Sequence, residues 1–167
     1  MFRVIDDFEK TWSYESEATL KVLKTLDDAS LARAVAGGHR TLGRLAWHLT
    51  LSIPEMANRT GLAVEGPPEH ASPPAKAADI AVAYEATARS LFGAVRAGWN
   101  DAALLVEDEM YGSRWARGYT LMSLVTHQAH HRGQMTVLMR QAGLKVPGIY
   151  GPALEEWSAY GAPAPEI

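Results

Sequence analysis

The sequence contains no cysteine, which removes disulfides, thiolate zinc sites, iron–sulfur clusters and a cysteine nucleophile in one step. It also lacks an excess of charge of either sign. Its 16 basic and 19 acidic residues give a formal net charge of -3 over 167 residues. That balance excludes the strongly basic footprint of a generic nucleic-acid binder, so no nucleic-acid partner is expected. No apolar run approaches the roughly 20 residues that cross a bilayer, and no membrane association is expected. The opening residues, Met1-Phe2-Arg3-Val4-Ile5-Asp6-Asp7, run into acid rather than from a basic into an apolar region. The default address is therefore the cytoplasm. What is present is an ordinary apolar fraction, 47%, and six histidines. At this length one domain can bury a substantial core. With cysteine absent, any bound transition metal falls to histidine and carboxylate, so the histidines are the residues to follow.

Apolar residues recur at helical spacing in four segments, predicting helices over about 2–26, 41–60, 78–97 and 119–142. The first carries Ile5, Phe8, Trp12, Leu23 and Leu26, and the second Leu42, Leu45, Leu49, Ile53 and Met56. Ile80, Tyr84, Leu91 and Val95 mark the third; Leu121, Leu124, Gln128, His131, Met135 and Leu138 mark the fourth. Thr41 reads as an N-cap and Gly143 as the residue just past a helix end. Pro54, inside the second pattern, predicts a kink or break near Ile53. Strand alternation is weak and supports one short hairpin, Leu104 to Met110 with Arg114 to Tyr119, around Tyr111-Gly112-Ser113. The fold class is therefore all-α: a four-helix bundle forming one domain over 1–167. Residues 62–77 include Pro67-Pro68 and Pro73-Pro74 and have no periodicity. Extended, they reach roughly 50 Å, against about 30 Å for a 20-residue helix. They are long enough to return along the bundle and start helix three parallel to helix two, though a plain surface loop is the alternative. The tail, 143–167, is expected to carry a short helix that packs Trp157 on the bundle.

The informative stretch is Thr126-His127-Gln128-Ala129-His130-His131-Arg132-Gly133-Gln134. His127 and His131, four apart, stack on one helix face and can reach a single ion, the geometry of the HExxH metalloprotease pattern. Here Gln128 replaces the glutamate of that pattern, so its general base is missing and a zincin reading fails. At about 100° per residue, His131 lies roughly 30° from the centre of the apolar stripe, His127 roughly 70° and His130 roughly 130°. His130 therefore faces outward and is not a ligand. Catalytic zinc sites take three protein ligands and keep a position open. The candidate third ligand is His48, at the border of the apolar stripe of helix two. His39 and His70 read as solvated loop residues. Spacing alone leaves a second reading open, a pair of structural histidines satisfied by hydrogen bonds.

The run His127-x-x-x-His131-Arg132-Gly133-Gln134, continuing to Leu138-Met139-Arg140-Gln141-Ala142-Gly143, resembles the DinB/YfiT-like family of metalloenzymes, as does Leu45-Ala46-Trp47-His48-Leu49 on helix two. The resemblance spans most of the chain. It implies an up-down-down-up bundle with a long crossover between helices two and three, often a homodimer. It also implies a divalent metal, commonly zinc or nickel, on His48, His127 and His131. Gln134 belongs to the signature and is expected to orient a ligand or substrate. Arg132 is expected in a surface salt bridge or dimer contact, and Gly133 where helices approach closely. The segment 111–119, with Trp115 and Tyr119, is expected to roof the site.

Members of the wider family act on low-molecular-weight thiols such as bacillithiol or mycothiol. The resemblance thus implies a metal-dependent transferase that uses such a thiol as co-substrate on a small molecule, the open metal position favouring the thiolate. Two alternatives stand beside it. One is metal-assisted hydrolysis through bound water, which lacks an identifiable base, since Glu55 reads as a solvated residue. The other is a non-catalytic, metal-binding dimeric bundle acting in stress response.

Overall fold

The computed structural model describes residues 1–166, so the last residue of the predicted tail lies outside the described part. Four α-helices carry the core: α1 (Ile5–Leu23), α2 (Leu42–Asn58), α3 (Ala77–Gly98) and α4 (Arg117–Gln141). A two-stranded antiparallel sheet, β1 (Glu107–Met110) with β2 (Ser113–Ala116), lies between α3 and α4 in the chain. Short 3-10 turns cover Ser30–Ala32, Asp101–Leu105 and Leu154–Tyr160. The chain is thus mostly helical, as the periodicity predicts, with the stripe residues Phe8, Trp12, Leu49, Ile53, Ile80, Tyr84, Leu91, Leu124 and Met135 fully buried in one apolar cluster.

The helix ends follow local chemistry. Thr41 caps α2 through its hydroxyl, which accepts from the Arg44 amide at 3.1 Å. Gly143 takes φ 79 beyond α4, and the Leu144 amide closes back on the Met139 carbonyl at 2.9 Å. Where a kink or break is expected, at Pro54, no break occurs: α2 runs through it to Asn58. Burial of Pro54 against the crossover, whose Gly66 backs onto its ring, compensates for the amide that proline cannot supply. The first predicted helix loses its opening residues: Phe2 lies before α1, and its amide donates to the Gly118 carbonyl at 3.0 Å. That approach requires glycine, since a Cβ at Gly118 would lie 2.1 Å from the Phe2 carbonyl oxygen.

α1 and α2 each pack against both α3 and α4. Between α1 and α4 the partners run in the same order, Phe2 with Gly118 and Glu15 with Arg132. Between α1 and α3 they run in opposite order, Glu9 with Arg96 and the Trp12 indole donating to the Ala88 carbonyl at 3.1 Å. The crossover is tied down rather than loose. The Asn58 side chain bonds both the amide and the carbonyl of Val64, and the Trp47 indole donates to the Ala71 carbonyl at 2.8 Å. Trp157 departs from expectation: it is half-buried in the last 3-10 turn and stays outside the apolar cluster. The tail docks instead through Val146, Ile149 and Tyr150.

Candidate metal centre

α4 presents His127 and His131 one turn apart, and α2, packed on α4, brings His48 against them. The His127 Nε2 lies 3.2 Å from the His48 Nε2 and 3.1 Å from the His131 Nε2. Nitrogens of all three rings fall within 4.8 Å of one another. Two nitrogens on a tetrahedral zinc ion at 2.0–2.1 Å stand about 3.3 Å apart, so the spacing fits one ion. His48 and His127 are half-buried and His131 is buried, which leaves the cluster on a rim rather than in a sealed cavity.

Protonation fits as well. Burial lowers His48 from its ordinary 6.5 to about 4, helped by the positive charge of Arg40 and by the neighbouring rings. Burial also lowers His127 to about 4, followed by the effect of His131. His131 is shifted down by burial, against the opposing effect of a hydrogen bond it donates to Gln134. At neutral pH three uncharged rings therefore converge, and a bare imidazole nitrogen is the form that binds metal. The Gln134 side-chain oxygen lies 2.7 Å from the His131 Nδ1. As assigned, that carbonyl accepts from Nδ1–H and leaves the lone pair on Nε2, aimed into the cluster. The Gln134 amide nitrogen in turn lies 3.1 Å from the His130 Nε2. Three such rings, with one nitrogen fixed as an acceptor, cannot satisfy both Nε2 contacts through shared protons. A cation among them does.

The expectations for the neighbours divide. His130 is exposed, as the wheel predicts, yet it buttresses Gln134. Gln128 is fully buried and faces the core: its amide donates to the Leu49 carbonyl at 2.9 Å, and its oxygen accepts from the Tyr84 hydroxyl at 3.2 Å. A glutamate there would point away from the histidines, so this position offers no base in this fold. Arg132 is not at the surface. It is 1% exposed, and its guanidinium donates to the Glu15 carboxylate at 2.6 Å, the Thr19 hydroxyl at 2.9 Å and the Tyr150 hydroxyl. The reason is angular: Arg132 follows His131 by about 100°, which turns it from α2 toward α1. Gly133 is exposed, and nothing lies within 4 Å of where a methyl group would stand, so it serves no close helix approach.

The 111–119 segment meets α2 at Glu55, whose charge reaches His127. The Tyr111 hydroxyl donates to the Glu55 carboxylate at 2.7 Å, and its ring lies under Arg59, while Trp115 packs edge-on between Tyr111 and Tyr119. Glu55 is thus held by Tyr111 and by Arg59, 2.9 Å away, rather than solvated. His70 is exposed in the crossover, as expected. His39 is exposed too, but together with Arg40 it lines a pocket beside His131 that the spacing of the histidines does not announce. The available signal was position: Arg40 immediately precedes Thr41, the cap of the helix that carries His48.

The DinB family model matches residues 1–166 of the chain. The uncharacterized protein YrdA of Bacillus subtilis (strain 168) is 43% identical over 167 residues, covering 100% of both chains. A crystal structure of a DinB-like protein from Bacillus cereus ATCC 10987 superposes with a TM-score of 0.86 at 43% identity, over 90% of this chain and 100% of that one. A second DinB-like structure, from Bacillus subtilis, gives a TM-score of 0.70 over 88% of this chain and 99% of that one. At 15% identity this second likeness is one of fold alone.

Proposed function

Because the chain belongs to the DinB family, we propose that it is a divalent-metal-dependent enzyme, with His48, His127 and His131 as ligands to zinc or nickel, that transfers or uses a low-molecular-weight thiol. The observation that carries this reading is the convergence of three uncharged imidazoles on a half-open rim. A divalent ion held by His48, His127 and His131 would supply a Lewis acid that favours the thiolate form of a thiol. The chain's own residues do the rest. Gln134 holds the His131 tautomer and ring plane, and the Gln128 bonds to Leu49 and Tyr84 lock α4 against α2 and α3. The sulfur arrives with the substrate, since the sequence has no cysteine.

Hydrolysis ranks behind transfer, because a base is needed beside the ion and Glu55 is engaged by Tyr111 and Arg59. A purely structural metal ranks behind it too, since structural zinc sites usually close with four protein ligands. The same reading takes the molecule as a cytoplasmic homodimer, for which light scattering of the purified protein is the check. It takes the helices in up-down-down-up order, which the like-ordered α1–α4 and oppositely ordered α1–α3 pairings support.

Metal analysis of protein purified without a histidine tag tests the premise. About one divalent ion per chain is expected, lost in His48→Ala, His127→Ala and His131→Ala and retained in His130→Ala. Full retention in the His127 and His131 variants overturns the ligand set. Incubation of the loaded protein with a thiol panel and monochlorobimane then tests transfer. A rate no higher than background for every thiol leaves the non-catalytic reading.

A further inference from the structure

A pocket of about 380 Å³ opens beside the histidines, on the side of His131 and Gln134. Its walls are apolar: Leu45 from α2, Val137 and Leu138 from α4, and Val35 from the loop that precedes α2. Val35 and Val137 remain 60% and 55% exposed, so this apolar surface is open to a ligand. The loop is held at its base by a bridge between Ala34 and Thr41 and by the Leu42 amide donating to the Arg33 carbonyl at 2.7 Å. Arg40, at the end of that loop, is therefore presented from a fixed frame.

Arg40 has no carboxylate partner: none of the ion pairs among the described residues includes it. No aspartate or glutamate is among the described residues that line the pocket. A free arginine at a surface is ordinarily just solvated. This one differs in place, because it lines the same pocket as His131 and Gln134. An unpaired arginine thus shares one pocket with an apolar wall and with His131 of the candidate metal centre. Arginine is suited to that position, since its planar fork matches a carboxylate and it sheds water more readily than lysine.

We propose that this pocket binds an amphipathic carboxylate, with its charge on Arg40, its apolar limb on Val35, Leu45, Val137 and Leu138, and its donor atom directed to the three-histidine cluster. The inference rests on the metal reading above for the donor end alone. The carboxylate and the apolar limb are read from the pocket itself. It narrows the co-substrate class from any small thiol to mercapto acids, and it makes Arg40 a specificity-determining residue.

Captopril, which joins a thiol, a carboxylate and an apolar ring, is a suitable probe, and its methyl ester removes only the charge. In calorimetric titration of the zinc-loaded protein the acid is expected to bind about tenfold tighter than the ester, the scale of one charge-assisted contact. Arg40→Ala removes that preference and leaves the ester's affinity unchanged. Equal binding of acid and ester by the wild type overturns the inference, as does equal weakening of both by Arg40→Ala. Hydrocinnamate, which carries no thiol, separates the pocket from the metal. Its addition is expected to shift the methyl resonances of Val35 and Val137, with or without zinc, and Arg40→Ala abolishes the shifts. Arg40-dependent shifts without captopril binding sink the thiol reading and leave the pocket standing. The absence of such shifts overturns the pocket, whatever the metal content.

Discussion

His131 and Arg132 are chain neighbours with opposite duties. The His131 ring turns toward α2 and the histidine cluster, while the Arg132 guanidinium turns toward α1 and fills a buried polar site with Glu15, Thr19 and Tyr150. Removing one partner of such a pair leaves the other charge buried and alone. Arg132→Met is therefore expected to cost about 3–5 kcal/mol in urea unfolding, and the Glu15→Leu, Arg132→Met double variant to recover much of it. A loss under about 1 kcal/mol in the single variant would show the pair to be expendable. Gln134 calls for the opposite test, because it is exposed and its bond is to a ligand ring. Gln134→Leu is expected to leave stability within about 0.5 kcal/mol and to weaken zinc by roughly 10- to 100-fold in chelator competition. Unchanged zinc affinity would refute its orienting role.

At the scale of elements, α4 carries His127 and His131 and is held firmly at its start. Its start is gripped by the Arg117 guanidinium, which meets Asp108 at 2.8 and 3.2 Å and lies over the Trp99 ring. The hairpin before it turns on Tyr111 and Gly112, both at positive φ, the type I′ geometry of a two-residue loop. Tyrosine is strained at φ 52, and its hydroxyl bond to Glu55 is a compensating contact. Gly133, by contrast, is a weak point in mid-helix with open space around it. Gly133→Ala is expected to raise stability by about 0.5–1 kcal/mol, seen as a higher Tm with unchanged metal content. A lower Tm would reveal a contact at that face, such as a second copy of the chain.

Across the whole molecule, the cluster ties stability to pH. Unfolded, His48 and His127 take up a proton near the ordinary 6.5; folded, they resist until about 4. Between those values the unfolded chain binds more protons, so the metal-free protein is expected to lose stability as pH falls through that window. Above 6.5 this contribution is fully present. Urea midpoints at several pH values, compared with those of a His48→Gln, His127→Gln variant, isolate it, since the variant is expected to lose less on acidification. Equal slopes would mean that the rings are not desolvated in solution. The described residues contain no helix long and apolar enough to cross a membrane, in keeping with the short apolar runs of the sequence.

The sequence by itself determined the helical periods, the Thr41 cap, the end of α4 at Gly143 and the inward turn of His127 and His131, because each follows from spacing along one helix. It also marked His48, through a second helix with its own stripe. Only the tertiary structure decided what depends on which helix lies opposite. Arg132 looked like a surface residue until α1 supplied Glu15 and Thr19, and Glu55 looked solvated until the hairpin brought Tyr111 to it. Pro54 passed inside α2 because the crossover packs beside it. Arg40 shares a pocket with His131 only because its loop lies beside α4. A helix's own period tells which way a side chain points, but not what it meets there, and the chemistry of this site depends on the meeting.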